Sequence, residues 1–149
     1  MRKTLATFVA VAACLSLAAC KSGDKGIKLG TKRNVGDDAS YSIHAADQEG
    51  KGKAIKLPRV YLKEKGYVAV HADAGGAPGP VLGVSDLLEA GDHKKVRIKL
   101  EKPLTSAADV WPMIHVEDNN NSTYDFPNGD APAKIGEQVA QVKMHVTLR

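Results

Sequence analysis

Two short patterns in the chain carry residue types that bind metals or move protons: His71-Ala72-Asp73 and His115-Val116-Glu117. Residues two apart on an extended strand share a face. Each pattern therefore sets an imidazole beside a carboxylate, opposite the apolar residues Val70, Ala72, Ile114 and Val116. If the two strands are neighbours, His71, Asp73, His115 and Glu117 converge as four N and O donors, with Asp125 in the following loop. Such a set suits Zn²⁺ or Cu²⁺. The same residues fit a solvated sheet face on which each imidazole bonds to its neighbouring acid. Register separates the two readings, and spacing alone does not give register.

Other chemistries are weaker. A blue-copper centre needs a cysteine thiolate with two histidines, and the chain holds only Cys14 and Cys20. Copper handling by Met113, His115, Met144 and His145 stays open, although these residues alternate in sidedness and Met144 falls among apolar positions. The loop Asp118-Asn119-Asn120-Asn121-Ser122-Thr123-Tyr124-Asp125 places oxygen-bearing side chains at the first, third and fifth positions of an EF-hand-like loop. The sixth position is Thr123 where that motif has glycine, and the twelfth is Gly129 where it has a bidentate glutamate. Asn and Asp also form turns. Asn120 and Asn121 begin glycosylation sequons, which the lipid-anchor signal described next argues against using. Ser85 lies in Gly-Val-Ser-Asp-Leu and not in a nucleophile elbow. Trp111 beside Pro112 reads as a core residue or a stacking platform. No catalytic set emerges, so the chain reads as non-enzymatic.

The N-terminus reads as an address. Arg2 and Lys3 precede an apolar stretch from Leu5 to Leu17, which ends in Leu17-Ala18-Ala19-Cys20. The order of charged, apolar and small-residue regions is that of a secretion signal. The stretch is shorter than the ~20 apolar residues that span a bilayer. Leu-Ala-Ala-Cys resembles the lipobox of bacterial lipoproteins. That resemblance implies that Cys20 is acylated and becomes the first residue after cleavage, so membrane lipid is the expected partner. Lys21, where an aspartate would signal inner-membrane retention, implies the outer membrane if the host has two. With Cys14 removed and Cys20 lipidated, no thiol remains for a disulfide, a metal or catalysis.

Loss of Arg2 and Lys3 leaves 19 basic and 17 acidic side chains, a net charge of +2 against +4 for the whole chain. This balance argues against a nucleic-acid partner, which would want clustered basic residues. Lys21, Lys25, Lys28, Lys32 and Arg33 follow the cysteine closely, as a solvated tether or a segment drawn to anionic headgroups. Residues 20–38 read as lipidated cysteine and linker, and 39–149 as one domain.

That domain alternates at period two. Tyr41, Ile43 and Ala45 share one face, as do Val68, Val70 and Ala72, and Val142, Met144, Val146 and Leu148. Strands are expected at 41–46, 54–62, 66–73, 81–84, 94–100, 110–117 and 139–148, with Pro58 marking the second as an edge or bent strand. Gly75-Gly76-Ala77-Pro78-Gly79-Pro80 is a turn, and 85–91 holds the one place for a short helical turn. About seven short strands predict an antiparallel sandwich.

Several motifs in this order resemble a family. They are Asp47-Gln48; Gly66-Tyr67-Val68-Ala69-Val70-His71; Leu82-Gly83-Val84-Ser85; Leu87-Leu88; Ala90-Gly91; Met113-Ile114-His115-Val116-Glu117-Asp118; Tyr124-Asp125-Phe126-Pro127; and Asp130-Ala131-Pro132. Together they resemble a domain family of unknown function found in archaeal surface proteins and bacterial exported proteins. The resemblance implies an immunoglobulin-like or cupredoxin-like sandwich outside the cytoplasm, and no activity. An envelope protein or a small ligand is then the expected partner, with no obligatory cofactor.

Overall fold

The computed structural model describes Lys32–Gly36 and residues 40–149, and these are all-β. The leader, Cys20 and Lys21 lie outside the described residues. In chain order the strands are β1 (Lys32–Gly36), β2 (Ser42–Ala46), β3 (Gln48–Gly50), β4 (Ala54–Leu62), β5 (Gly66–Asp73) and β6 (Pro78–Val84). They continue with β7 (Gly91–Lys99), β8 (Ala108–Val116), β9 (Lys134–Ile135), β10 (Gln138–Val139) and β11 (Met144–Leu148). One sheet has the order β1-β2-β4-β7 and the other β3-β11-β8-β5-β6, with β9 and β10 forming a small ribbon. Pairing is antiparallel except between β3 and β11.

Alternation explains why these segments pair and pack. Ile43 and Ala45 of β2, Ile55, Leu57, Val60 and Leu62 of β4, and Val96 and Ile98 of β7 turn inward from the first sheet. Val68 and Val70 of β5, Val110 and Ile114 of β8, and Met144 and Val146 of β11 meet them from the second. All belong to one core. Burying each such side chain contributes roughly 1.5–3 kcal/mol, and two sheets sharing one core make a sandwich.

Several expectations need correction. Lys32–Gly36, read from composition as tether, pairs along its length with β2. β4 is central, between β2 and β7, and not an edge. Pro58 is accommodated because the β2 ladder stops at His44↔Arg59, and because Lys95, opposite Pro58, leaves the β7 ladder at φ 56°. The inward phase of β4 slips there too, from Ile55 and Leu57 to Val60 and Leu62. Residues 85–91 form no helical turn; Leu88 instead bridges Gly66, with N–O distances of 2.9 and 2.8 Å. The Gly-Pro turn is shorter than its sequence, since β6 already begins at Pro78. The segment 139–148 divides into the end of β10 and β11.

Candidate functional site: a buried histidine pair

Register builds the site. Tyr67 lies opposite His115, Ala69 opposite Met113, and His71 opposite Trp111. Because Val68, Val70, Ile114 and Val110 face the core, the alternating set Tyr67, Ala69, His71, Trp111, Met113 and His115 occupies the other face of the second sheet. That face is not solvated around the histidines: His71 is 5% exposed and His115 is fully buried. The connection between β8 and β9 covers it. Tyr124 packs edge-on against His115 at 5.3 Å and against Tyr67 at 5.6 Å, and Phe126 packs edge-on against His115 at 4.9 Å. Under this cover the two imidazoles lie 13° from parallel, with centroids 5.7 Å apart.

Hydrogen bonds anchor the Nδ1 side of both rings. His71 Nδ1 is 2.8 Å from the Gly79 carbonyl, and His115 Nδ1 is 2.7 Å from the Asp130 carbonyl. A carbonyl only accepts, so each Nδ1 carries a proton, and the neutral tautomer that this bond selects has its lone pair on Nε2. Both Nε2 atoms are buried without a protein partner. Burial pushes the His115 pKa down; the bond to Asp130 opposes this, and the His71 charge adds to it. A backbone carbonyl holding one ring nitrogen while the other is free is how proteins orient metal-binding histidines.

Polar groups crowd the same pocket. Tyr67 donates its hydroxyl to Glu117 Oε2 at 3.2 Å. Burial first, then Glu117, pushes the Tyr67 pKa up to about 12, and burial together with Asp130 does the same for Tyr124. Burial likewise raises the Asp130 pKa, with further contributions from its acidic neighbours Asp125 and Glu117. Glu117 Oε1, Tyr124 OH and Asp130 Oδ1 are buried without protein partners. Such groups are costly unless something satisfies them.

The five residues singled out from sequence do not close into one ligand set. His71 and His115 come together, and Glu117 joins the pocket through Tyr67. Asp73 turns elsewhere, past a register shift that separates it from His71. It accepts from Trp111 Nε1 at 2.8 Å and from Gly76 N at 3.1 Å, and lies 3.5 Å from Lys143 Nζ. Asp125 is held by the amides of Asn119 and Asn121. Among the described residues, no group of three or more His, Cys, Asp or Glu is arranged to hold a metal.

The other candidates resolve locally. Asp118 accepts from the backbone of Asp130 and Ala131, while Asn120 and Ser122 adopt φ 58° and 57°, so the loop's oxygens staple and turn the chain. Met144 is in the core and His145 pairs with Asp109, so neither approaches the arrangement of Met113 and His115 expected for copper handling. Trp111 is half-buried, with Lys143 Nζ 5.8 Å from its ring centre. The Ser85 hydroxyl accepts from Val68 N and donates to Asp86 O, a turn role. Tyr67, Tyr124, Phe126 and Asp130 were missed as site residues. Tyr67 had a legible signal, since it shares the alternation of His71, but the three loop residues had none.

The chain is similar to parts of two cell surface glycoproteins. Over 112 residues, 75% of its length, it is 36% identical to Cell surface glycoprotein 1 of Haloarcula hispanica. Over 96 residues, 64% of its length, it is 38% identical to Cell surface glycoprotein 2 of the same organism. These matches span only 12% and 10% of the relatives' own lengths. No solved structure matches the chain. Residues 41–147 match the family described as Domain of unknown function (DUF7282), and the chain belongs to that family.

Proposed function

We propose that this chain is a lipid-anchored, non-enzymatic module of the cell envelope, acting by binding or by structural contact. The observation that supports this reading is the recurrence of its sequence over about a tenth of two cell surface glycoproteins. A module reused inside larger surface proteins acts as a part and not as a free enzyme. The charged and apolar leader and the Leu-Ala-Ala-Cys motif supply the anchor through Cys20, and Lys21 supports outer-membrane sorting in a two-membrane host. Among the described residues, no helix is long and apolar enough to cross a membrane.

The anchor is tested by Cys20→Ala in the native host with labelled palmitate. The expected result is an uncleaved precursor without label; normal maturation with membrane retention sinks the anchor. Turnover of common ester, peptide or glycoside substrates by the purified protein sinks the non-enzymatic reading. A second reading, envelope metal binding, is favoured by one observation: two buried imidazoles whose Nε2 atoms have no protein partner.

A further inference from the structure

We propose that the recess where β3 meets the first half of β4 binds an acidic polysaccharide of the cell envelope, its anionic groups held by Lys51, Lys53, Lys56, Arg97 and Arg149. This rests on the reading of the chain as an envelope binding module and names its partner. It is independent of the lipid anchor and of the histidine pair.

The crossover between sheets makes the recess. β2 pairs with β4 only as far as His44↔Arg59, and the chain then passes into β3 of the second sheet. The first half of β4 is left without a strand on that side, and the Gln48 side chain takes up part of the edge, accepting from Lys56 N at 3.2 Å. The space there is about 330 Å³. All five basic residues line it and are exposed, and Glu49 is the one acid beside them. Glu49 reaches Arg149 at 4.0 Å. Gln48 also keeps a buried Nε2 donor without a protein acceptor. The near-balanced net charge of the chain conceals this face, because Arg97 and Arg149 join Lys51, Lys53 and Lys56 only in the fold.

Register sharpens the argument. Lys56 lies directly opposite Arg97, and both point outward because their neighbours Ile55, Leu57, Val96 and Ile98 point into the core. Directly opposite residues hold their Cβ atoms about 4.5–5.5 Å apart, and like charges there are destabilising. The same two strands offset such a clash elsewhere: Arg59 lies opposite Lys94, and Asp92 pairs with both. Lys56 and Arg97 have no acid between them among the described residues. The sheet keeps an electrostatic cost that an anionic ligand relieves, and a cleft lined by one sign of charge concentrates such ligands. Lys56 and Arg97 also line an adjoining recess of about 380 Å³ with Lys95 and Pro58, so the cations continue along the face as a linear polyanion requires.

The lining chooses among polyanions. The first recess offers no aromatic ring, on which the bases of single-stranded nucleic acids stack. Val146 is its one large apolar residue, whereas a protein interface has an apolar centre with aromatic anchors. A bilayer presents a plane, which meets the rim of a recess and not its floor. A hydrophilic chain with spaced carboxylates or phosphates enters it and needs none of these.

The test uses the full chain in neutral detergent, followed by titration calorimetry and by ¹H–¹⁵N NMR of the Arg97 Nε–H and the Lys56 amide. The probes are an oligogalacturonate, a neutral malto-oligosaccharide of equal length, a short single-stranded DNA, and bicelles with and without phosphatidylglycerol. The oligogalacturonate should move both signals and bind less tightly, on the order of 10-fold, as ionic strength rises from ~0.05 to ~0.5 M. The malto-oligosaccharide should move neither. Lys56→Glu with Arg97→Glu should weaken binding on the order of 100-fold. Lys63→Glu with Lys134→Glu, the same change of charge at exposed sites outside the recess, should stay within about 3-fold. Lys56→Gln alone should hold or raise the urea midpoint, since it removes one of two opposed like charges; a lowered midpoint overturns the argument from register. Equal losses in the two double variants reduce binding to bulk charge and overturn the site. Shifts with phosphatidylglycerol bicelles but not with oligogalacturonate overturn the polysaccharide and keep the envelope reading. Shifts with DNA alone overturn both. If no probe moves either signal, the binding site falls and structural contact is left as the envelope role.

Discussion

Asp109 shows how a single charged residue on the uncovered part of the second sheet is held. Lys143 Nζ lies 2.8 Å from one of its oxygens, and His145 Nδ1 lies 2.7 Å from the other. The hydrogen bond from Lys143, followed by that from His145, holds the Asp109 carboxyl below its ordinary range, and Asp109 in turn raises the Lys143 pKa. The sign follows from linkage. A carboxyl whose folded pKa is depressed contributes stability at pH values above its unfolded pKa of about 3.9 and loses it as pH falls through the lower folded value. Asp109→Asn should therefore lower the urea midpoint at pH 7 and flatten its decline below about pH 4. Parallel acid limbs in the two proteins would falsify that assignment. The group is exposed enough for salt to screen it, so the gap at pH 7 should also narrow at high ionic strength.

At the scale of elements, close approach matters more than propensity. A Cβ built on Gly66 would sit 2.1 Å from the His115 carbonyl oxygen, at the point where β5, β8 and the Leu88 bridge meet. Backbone on the other side cannot swing aside as a flexible side chain can. Gly66→Ala should then cost more than about 2 kcal/mol, by strain or by opening the ladder. Gly50, at the end of β3, has nothing within 4 Å of such a Cβ. Gly50→Ala should fall within about 1 kcal/mol of wild type, since the entropy it saves in the unfolded chain is of that size. Chemical denaturation of the two variants measures both. Equal costs would mean that the β5–β8 junction is looser than its geometry. β4 makes the same point: Pro58 lies in a central strand because its partner Lys95 leaves the β7 ladder and the pairing with β2 has already stopped at Arg59.

At the scale of the molecule, one core carries the sandwich and no covalent staple assists it. The described residues contain no cysteine, since Cys14 and Cys20 are the only two in the chain. Leu57 and Ile114 are fully buried and come from opposite sheets into the same core. Leu57→Ala and Ile114→Ala should each cost 2–5 kcal/mol, through lost burial and the cavity left behind, a range of about that size being usual for such truncations. Calorimetry checks this, and the midpoint of the parent protein should not move with reductant. A cost below about 1 kcal/mol at both positions would mean that the two sheets do not share a tight core. The other face of the second sheet is built differently, with rings and polar groups under a loop that Asp118, Asn119, Asn121 and Asp125 staple together.

The sequence by itself determined the all-β class, the inward and outward faces of most strands and the pairing of polar residues on one face, because alternation is a local property. It also placed His71 and His115 opposite the apolar residues of their strands, where the structure has them. Only the tertiary structure decided that these histidines are buried. Their cover comes from Tyr124, Phe126 and Asp130, distant in sequence and set in a loop without periodicity. Asp73 was lost from the expected cluster for a related reason. Asp73 bonds to Trp111 and lies near Lys143 at the far end of β5, partners on β8 and beyond it that no spacing within β5 reveals. The tertiary structure also moved Lys32–Gly36 from tether to strand, since a partner in β2 and not local composition orders it. Which side a residue faces is written in its neighbours along the chain; what lies against that side depends on segments far away.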